Sequence, residues 1–268
     1  VYDMHEFYPE QDVFTAKVQK RLRNIERSNV NKCNALITVN PLLADEISKT
    51  YGGINITVIQ NATVIERDFH NKQYNRFREE YKISDKEIIL LYQGWISPYR
   101  NLQNLVASLP RITKPVRLII MGYGDFKDDL KRMAEELNVT DKIVFVPSKS
   151  QEELLSYTAS ADVGIIPYPY GLDPNTKYAS PNKLYEFVAA RLPILCNNLP
   201  FVGSVVSENG FGEVANMDSA ESFGQAINEF SYEKIGIYKE NLKHKGKDYL
   251  WDTESQKLLD VYNTVSKK

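Results

Sequence analysis

The chain has 268 residues, of which 43% are hydrophobic and 25% are charged, and its formal net charge is −2. These values are typical of a globular protein with one large or two smaller domains, and such a balanced charge argues against a dedicated nucleic-acid binder. Two cysteines far apart in the chain predict no disulfide framework and favour a reducing compartment. Because no apolar run approaches the roughly 20 residues of a membrane-spanning helix, we expect a cytoplasmic protein.

Short apolar strands alternate with helices from residue 1 to residue 62. Because Val1 already lies in an apolar stretch, we expect the chain to begin inside a domain whose earlier part is absent. The predicted helix over 41–52 starts with proline and ends with glycine, as helices often do, and another covers 13–30. Residues 66–86 predict a polar linker with a short helix. Strands are predicted over 1–4, 34–40 and 55–62, and the apolar face of the first helix consists of Phe14, Val18, Leu22 and Ile25.

Five apolar strands alternate with helices between residues 87 and 196. Strands that are apolar along their whole length are typical of a parallel sheet covered by helices on both faces. The last helix, from Trp251, carries the capping-box spacing of Thr253 and Gln256. We therefore predict an α/β fold of two Rossmann-like, doubly wound parallel-sheet domains, the first incomplete, with ligands at the carboxyl ends of the strands. These strands are predicted over 87–94, 115–124, 141–147, 161–168 and 193–196.

The segment "SPNKLYEFVAARLPIL", residues 180–195, carries the strongest signal of a binding site. Ser180 suits the N-cap of a helix and Pro181 its first position. The free N–H groups of the helix start, together with Lys183, would form an anion site. Glu186 could then accept both hydroxyls of a ribose. The alternative interpretation is a solvated first-turn lysine and a glutamate that is favourably placed near the helix dipole.

Three other strand ends carry weaker signals. Gly94 permits close approach of the backbone to a ligand, and Arg100 could make a forked contact to phosphate. The glycine turn at Gly122 lacks the third glycine that a dinucleotide fingerprint needs. The backbone at Val146 and Pro147 could face a nucleobase. Each of these is also compatible with a plain turn. Together, however, the four strand ends offer an arginine for phosphate, glycine turns, a slot for a base and an anion-binding helix start, which match the portions of a nucleoside diphosphate.

On these residues the chain resembles the retaining glycosyltransferases of the GT-B class, family 4 (glycosyl transferases group 1), without the start of the N-terminal domain. The resemblance implies transfer of a sugar from a UDP- or GDP-sugar donor with retention of the anomeric configuration, and without a metal ion or other cofactor. It also implies an acceptor-side domain over 1–70, a donor-binding domain over 71–250 and a helix over 251–268 that crosses back to the first domain. The segments that carry it are "YDMHEFYPE", "NALITVN", "VIQNA", "LYQGWISPYRNL", "IIMGYG", "KIVFVPS", "ADVGIIPY" and "SPNKLYEFVAARLPIL".

The resemblance also assigns roles to individual residues. Arg100 and Lys183 would neutralise the diphosphate, and stabilising that leaving group would be the main catalytic contribution. His5 matches a histidine that reaches across the cleft to the donor sugar, and Glu186 matches the ribose-binding glutamate. The donor-binding positions implied are Gly94, Trp95, Gly122, Val146, Pro147, Tyr178, Ser180, Pro181, Asn182, Leu184 and Glu186.

Two positions depart from the family pattern. Tyr178 stands where many members have a first glutamate that contacts the donor sugar, and Trp95 stands where an arginine is common. Tyr178 or the loop over 171–177 then becomes the candidate contact to the sugar. With the first glycine-rich loop of the N-terminal domain also absent, we expect that this chain alone can bind donor without transferring the sugar.

Residues 11–32 carry six basic and two acidic side chains, a net charge of +4. A basic amphipathic helix could rest on the inner face of an anionic membrane, and a solvated helix face is the alternative. The acceptor is then expected to be a glycan or a lipid-linked intermediate of surface polysaccharide, with no nucleic-acid partner. Two other functions stay open: a nucleotide-sugar epimerase of GT-B fold, and a non-catalytic nucleotide-sugar binding module. A dinucleotide oxidoreductase fits least, because neither glycine turn completes the fingerprint.

Overall fold

The computed structural model describes residues 1–11, 13–171 and 174–267, with two parallel β-sheets. A three-stranded small sheet has the order β1-β2-β3, and a six-stranded large sheet has the order β6-β5-β4-β7-β8-β9. The second order is that of a dinucleotide-binding doubly wound fold, so the predicted α/β class and parallel pairing are confirmed. The strands are β1 (Tyr2–Met4), β2 (Leu36–Thr38), β3 (Ile56–Val58), β4 (Ile88–Trp95), β5 (Val116–Tyr123), β6 (Ile143–Pro147), β7 (Val163–Ile166), β8 (Ile194–Asn197) and β9 (Gly212–Ala215).

Helices connect the strands and cover both faces of the large sheet. Within the described ranges, the prediction missed β9 and the three helices around it, which lie between residues 200 and 245. The helices are α1 (Ala16–Val30), α2 (Pro41–Tyr51), α3 (Arg76–Tyr81), α4 (Leu102–Ser108), α5 (Lys127–Glu136), α6 (Gln151–Thr158), α7 (Pro174–Lys177), α8 (Asn182–Ala189), α9 (Pro200–Asn209), α10 (Ala220–Glu229), α11 (Tyr232–Lys245) and α12 (Trp251–Ser266). None of the helices that the structure describes is both long and apolar enough to span a bilayer.

The strand β4 explains why the large sheet reads as continuous apolar runs. Ile89 and Leu91 pack in the core on one face of the sheet together with Phe187 of α8. Leu90 packs on the other face with Leu105 of α4. A strand that is buried on both faces therefore needs apolar residues at successive positions.

The predicted apolar face of α1 is wrong. Val18 and Ile25 are 40% and 49% exposed, whereas Val30 and the carboxylate residue Glu26 are buried. Glu26 can be buried because its two carboxylate oxygens accept hydrogen bonds from the hydroxyls of Tyr2 and Tyr51. Those partners come from β1 and α2, so α1 rests on the small sheet through a polar contact.

Two predicted helix starts need correction. Pro181 occupies the N-cap of α8, so Ser180 lies one residue outside and its hydroxyl is 2.7 Å from the hydroxyl of Tyr185. Leu250 occupies the N-cap of α12, so the predicted capping box is absent. Thr253 instead donates its hydroxyl to a backbone carbonyl in the preceding turn.

The last helix returns to the small sheet. Val261 of α12 packs against Ile37 and Ile59. The fully buried carboxylate of Glu254 accepts a hydrogen bond from the backbone N–H of Gln60 at 3.0 Å. The small sheet therefore packs with both ends of the chain. The boundary after residue 70 falls in the connection between the sheets and stays a prediction.

Candidate functional site

A cavity of about 760 Å³ lies between the loops of the small sheet and the carboxyl ends of the large-sheet strands. Parallel α/β sheets commonly bind ligands at this edge. His5 and Asn61 line the cavity from the small sheet, and Trp95, Arg100 and Ser180 line it from the large sheet. Four of these five residues are predicted site residues, and the exception is Asn61.

Lys183, in the first turn of α8, is 6% exposed, and its Nζ has no hydrogen-bond partner among the residues that the structure describes. Its Nζ lies 3.8 Å from the centre of the Tyr92 ring and 5.0 Å from the centre of the Tyr168 ring. Burial, and secondarily the charge of Arg100, hold the pKa of Lys183 well below its ordinary value, while Glu186 opposes the shift. Since a buried ammonium without a partner costs stability, this position is set up for an anion that comes from outside the chain.

Arg100 is the second cation of the site. Its guanidinium carbon lies 4.2 Å from the centre of the Tyr168 ring and 5.6 Å from that of Trp95. Its Nε is buried and has no hydrogen-bond partner. Arg100 and Lys183 therefore share one aromatic neighbour, and each has polar atoms without an acceptor among the described residues.

The turn that carries Arg100 is fixed by Asn101, which is not among the predicted site residues. Asn101 adopts a left-handed conformation with φ of 60° and is almost fully buried. Its amide donates to the carbonyl of Pro167 at 3.2 Å and to the carbonyl of Met217 at 2.7 Å. These partners lie just after two other strands, so the sequence around Asn101 carries no signal of them.

Gly94, at the end of β4, keeps the space in front of Lys183 open. Its φ is +119°, and a Cβ at this position would lie 3.4 Å from the Nζ of Lys183. Gly122 has a different reason to be glycine, because a Cβ there would lie 1.9 Å from the carbonyl oxygen of Gly94 in the neighbouring strand. Gly94 thus serves the site directly, whereas Gly122 permits the pairing of β4 with β5.

Glu186, in the second turn of α8, is held by a chain of hydrogen bonds. The amide of Gln93 donates to one oxygen of Glu186 at 2.5 Å, and the amide oxygen of Gln93 accepts from the hydroxyl of Thr158 at 2.9 Å. Burial raises the pKa of Glu186, against the opposing effects of Gln93 and Lys183. The second carboxylate oxygen has no partner among the described residues. Gln93 was not predicted, although a polar residue inside the apolar strand was a signal.

The start of α8 offers fewer free N–H groups than predicted. The N–H groups of Asn182 and Lys183 have no backbone acceptor in the described part of the chain. Leu184 donates its N–H to the carbonyl of Pro181 at 2.9 Å, so this N–H is not free, and the predicted contact of Leu184 to phosphate stays a prediction. Its side chain lies in the core.

The remaining predicted residues fall in three places. His5 and Trp95 are exposed and line the cavity. Tyr178 also lines it, but its ring packs in the core of the small sheet. Val146 is fully buried and Pro147 is exposed, both at the end of β6 outside the cavity lining, so their contact to a base stays a prediction.

Two further expectations concern the loop over 171–177 and metal binding. Of that loop, Leu172 and Asp173 lie outside the described residues. Among the residues that are described, no group of three or more His, Cys, Asp or Glu side chains could hold a metal ion.

The chain is similar to one family model and to several known proteins. Residues 73–249 match the family model of the glycosyl transferases group 1. The chain is 24% identical over 253 residues to the alpha-monoglucosyldiacylglycerol synthase of Streptococcus pneumoniae, covering 82% of this chain and 55% of that protein. It is 26% identical over 233 residues to the O-antigen chain mannosyltransferase RfbU of Salmonella typhimurium, covering 85% and 58%.

A solved structure shows the same fold. The crystal structure of Anabaena HepE in complex with UDP and glucose aligns with a TM-score of 0.72 at 14% identity, covering 100% of this chain and 71% of that one. At such an identity the likeness shows the fold alone. The chain spans little more than half the length of the two curated relatives, 55% and 58%.

Proposed function

Because the chain belongs to the glycosyl transferases group 1 family and has the GT-B fold, we propose that it transfers a sugar from a nucleotide-sugar donor to a glycan or lipid-linked acceptor, with retention of the anomeric configuration. The observation that carries this proposal is the pair of cations Lys183, which is buried, and Arg100, which is half-buried: the Nζ of the first and the Nε of the second are buried atoms without a hydrogen-bond partner among the described residues. A nucleoside diphosphate supplies the two negative charges that this pair lacks. Charge-assisted hydrogen bonds of this kind are about twice as strong as neutral ones.

The donor lies with its diphosphate at the start of α8. Lys183, Arg100 and the free N–H groups of residues 182–183 bind the phosphate oxygens, and the helix dipole favours the same charge. Glu186, with one oxygen engaged by Gln93, offers its other oxygen to the ribose hydroxyls. The donor sugar then extends into the cavity towards His5.

In the reaction, the bond between the anomeric carbon and the diphosphate oxygen breaks, and a bond to an acceptor hydroxyl oxygen forms on the same face. The acceptor hydroxyl loses its proton as this bond forms, and an oxygen of the departing diphosphate accepts that proton. Negative charge grows on the departing diphosphate. Lys183 and Arg100 are already in place to stabilise that charge, so this electrostatic contribution needs no rearrangement at the moment of reaction. His5 faces the reacting carbon from the small sheet.

The acceptor side of the cavity supports a saccharide. Trp95 and Tyr99 line one wall and are 45% and 66% exposed. His5, Glu6 and Gln11 line the opposite wall. Aromatic rings can cover the apolar face of a sugar while carboxylate and amide groups bind its hydroxyls, a combination typical of small polar ligands.

We also place the protein at the inner face of a membrane. Exposed Val18 and Ile25 of α1 lie among Lys17, Lys20 and Arg21, a combination that suits an anionic surface. Sedimentation with anionic but not with neutral vesicles is the expected result. The Lys17→Glu/Lys20→Glu variant should stay in the supernatant. If the original chain sediments equally with anionic and neutral vesicles, α1 does not bind an anionic membrane surface as proposed.

Calorimetric titration of the chain with UDP, GDP, ADP and NADH tests the donor site. Saturable binding of one nucleoside diphosphate is expected, and it identifies the base. Glu186→Ala should weaken that binding by about 1–3 kcal/mol, because the ribose loses a charged acceptor. Binding of NADH without binding of any diphosphate would overturn the proposal.

Activity separates glycosyl transfer from the other functions of this fold. A transferase releases UDP or GDP faster when its acceptor is present, whereas an epimerase converts the nucleotide sugar without any acceptor. A binding module releases neither product. Release of free nucleoside diphosphate from UDP-glucose or GDP-mannose, measured with and without a membrane lipid extract, distinguishes the three.

A further inference from the structure

Side chains of the small sheet hold the loop that leads into α8, here called the 178–181 loop. The amide of Asn40 donates to the carbonyl of Tyr178 at 2.8 Å. The amide of Asn61 donates to the carbonyl of Ser180 at 2.9 Å. The hydroxyl of Tyr178 donates to a carboxylate oxygen of Glu46 at 3.0 Å. Residues next to the small sheet thus hold two residues of the 178–181 loop, Tyr178 and Ser180.

These contacts are built into the small sheet. Asn40 is fully buried, and its amide oxygen accepts from the N–H of Leu43 as the N-cap of α2. Because that oxygen is engaged, the amide nitrogen is directed at the loop. The Tyr178 ring packs with Met4 and Leu43 in the core of the small sheet, although Tyr178 belongs to the chain segment between β7 and β8.

The 178–181 loop runs directly into the anion-binding start of α8. Pro181 is the N-cap of that helix, and residues 182–183 present the free N–H groups and the Lys183 side chain of the site. Consecutive peptide planes share their Cα atoms, so holding the carbonyls of Tyr178 and Ser180 limits the orientation of the helix start. Without these bonds Lys183 would keep its place within α8, but the 178–181 loop before the helix would no longer be held in one orientation.

We propose that Glu46, Asn61 and Tyr178 are positioning residues through which the small sheet holds the diphosphate-binding start of α8 in its binding geometry. The inference rests on the proposed donor site. It assigns Tyr178 to the contact between the two sheets rather than to the donor sugar. By linkage, a diphosphate bound at α8 strengthens the contact of the loop with α2 to the same extent as that contact strengthens binding.

Titration of the whole chain with UDP and GDP, using variants that remove single bonds, tests the inference. Tyr178→Phe removes only the hydroxyl, and Asn61→Asp replaces the donor by an acceptor of the same size. Each should weaken binding of the nucleoside diphosphate by about three- to tenfold, the usual effect of one hydrogen bond. Adding Glu46→Gln to Tyr178→Phe should cause little further loss, because the two residues share one bond.

A matched control is available in Tyr238, whose hydroxyl donates to Glu213 at the same distance of 3.0 Å, away from the cavity. Tyr238→Phe should leave binding unchanged. A second readout is amide hydrogen exchange: diphosphate binding should slow exchange in α2 of the original chain, and less so in Tyr178→Phe, which lacks the bond to Glu46 of α2. A purely structural bond would not transmit this protection.

The outcomes are separable. If the original chain binds neither UDP nor GDP, the proposed function itself fails. If it binds one of them while Tyr178→Phe and Asn61→Asp bind as well as the original chain, the positioning role is overturned. Equal losses in Tyr178→Phe and Tyr238→Phe would overturn it too, since they would reflect general destabilisation.

Discussion

The two sheets each bury a charged residue on a helix, and the surroundings of the two charges differ. Glu26 of α1, 8% exposed, accepts hydrogen bonds from Tyr2 and Tyr51, so the protein itself completes its coordination. Lys183 of α8, 6% exposed, has aromatic neighbours but no hydrogen-bond acceptor in the described part of the chain. A buried charge with partners is part of the architecture, whereas one without partners is a place for a ligand.

Replacing Lys183 should give the largest effect. In Lys183→Met the diphosphate loses a buried cation, so UDP or GDP affinity should fall by about 100-fold, or about 3 kcal/mol. The unliganded variant should be more stable than the original chain by about 1–3 kcal/mol, since an unpaired buried charge is gone. Calorimetric titration and thermal unfolding measure the two quantities.

Lys114→Met is the matched control for this prediction. Lys114 is a partly buried lysine whose pKa is also lowered by burial, but it precedes β5 and donates to the carbonyl of Phe230, away from the cavity. The Lys114→Met variant should therefore bind the diphosphate with unchanged affinity. A Lys183→Met variant that is less stable and binds as well as the original chain would make Lys183 a structural residue like Glu26.

Replacing Glu26 should have the opposite pattern and a smaller effect. Glu26→Ala leaves the hydroxyls of Tyr2 and Tyr51 without their acceptor, so the free energy of unfolding should fall by about 1–3 kcal/mol. Diphosphate affinity per folded molecule should not change. Urea unfolding followed by titration measures both, with Glu135→Ala on the exposed face of α5 as the control. Loss of affinity without loss of stability would place Glu26 in the site.

The same contrast explains what the sequence could predict. The parallel sheets, and the order of strands and helices up to β8 apart from the short helix α7, result from local apolar patterns and were predicted correctly. The position of Lys183 beside Arg100 results from their places at two strand ends of one sheet. The apolar face of α1 was wrong because Glu26 finds its partners at residues 2 and 51, and no local pattern shows such distant contacts.

The segment over 200–245 and the 178–181 loop were missed for different reasons. In α9, Phe201, Val202, Val205 and Val206 are buried at helical spacing, so the sequence carried a signal of this helix that the prediction did not use. Asn61 and Glu46 looked like ordinary polar residues. Their role depends on a loop more than 100 residues away in the chain, and only the folded arrangement brings them together.

The pH dependence of donor binding at Lys183 should give the smallest effect. Burial and Arg100 hold the pKa of Lys183 well below its ordinary value in the unliganded protein. A diphosphate favours the charged ammonium, so binding raises that pKa and takes up a proton. Affinity for UDP-glucose should therefore fall as pH rises from the lowered pKa towards the raised one, by at most about tenfold per pH unit.

Stability of the unliganded chain should change in the opposite direction over the same range. The unfolded chain binds a proton at Lys183 more tightly than the folded chain does, so the free energy of unfolding rises with pH from the lowered pKa towards about pH 10. Glu186 has a raised pKa in the folded chain, so its contribution to the free energy of unfolding falls as pH rises. That change takes place at lower pH than the change caused by Lys183. Calorimetry of UDP-glucose binding in two buffers of different ionisation enthalpy measures the proton uptake, and UDP-glucose avoids the titration of a terminal phosphate. Lys183→Met should show no uptake above neutral pH; equal uptake in the variant and the original chain would assign the proton to another group.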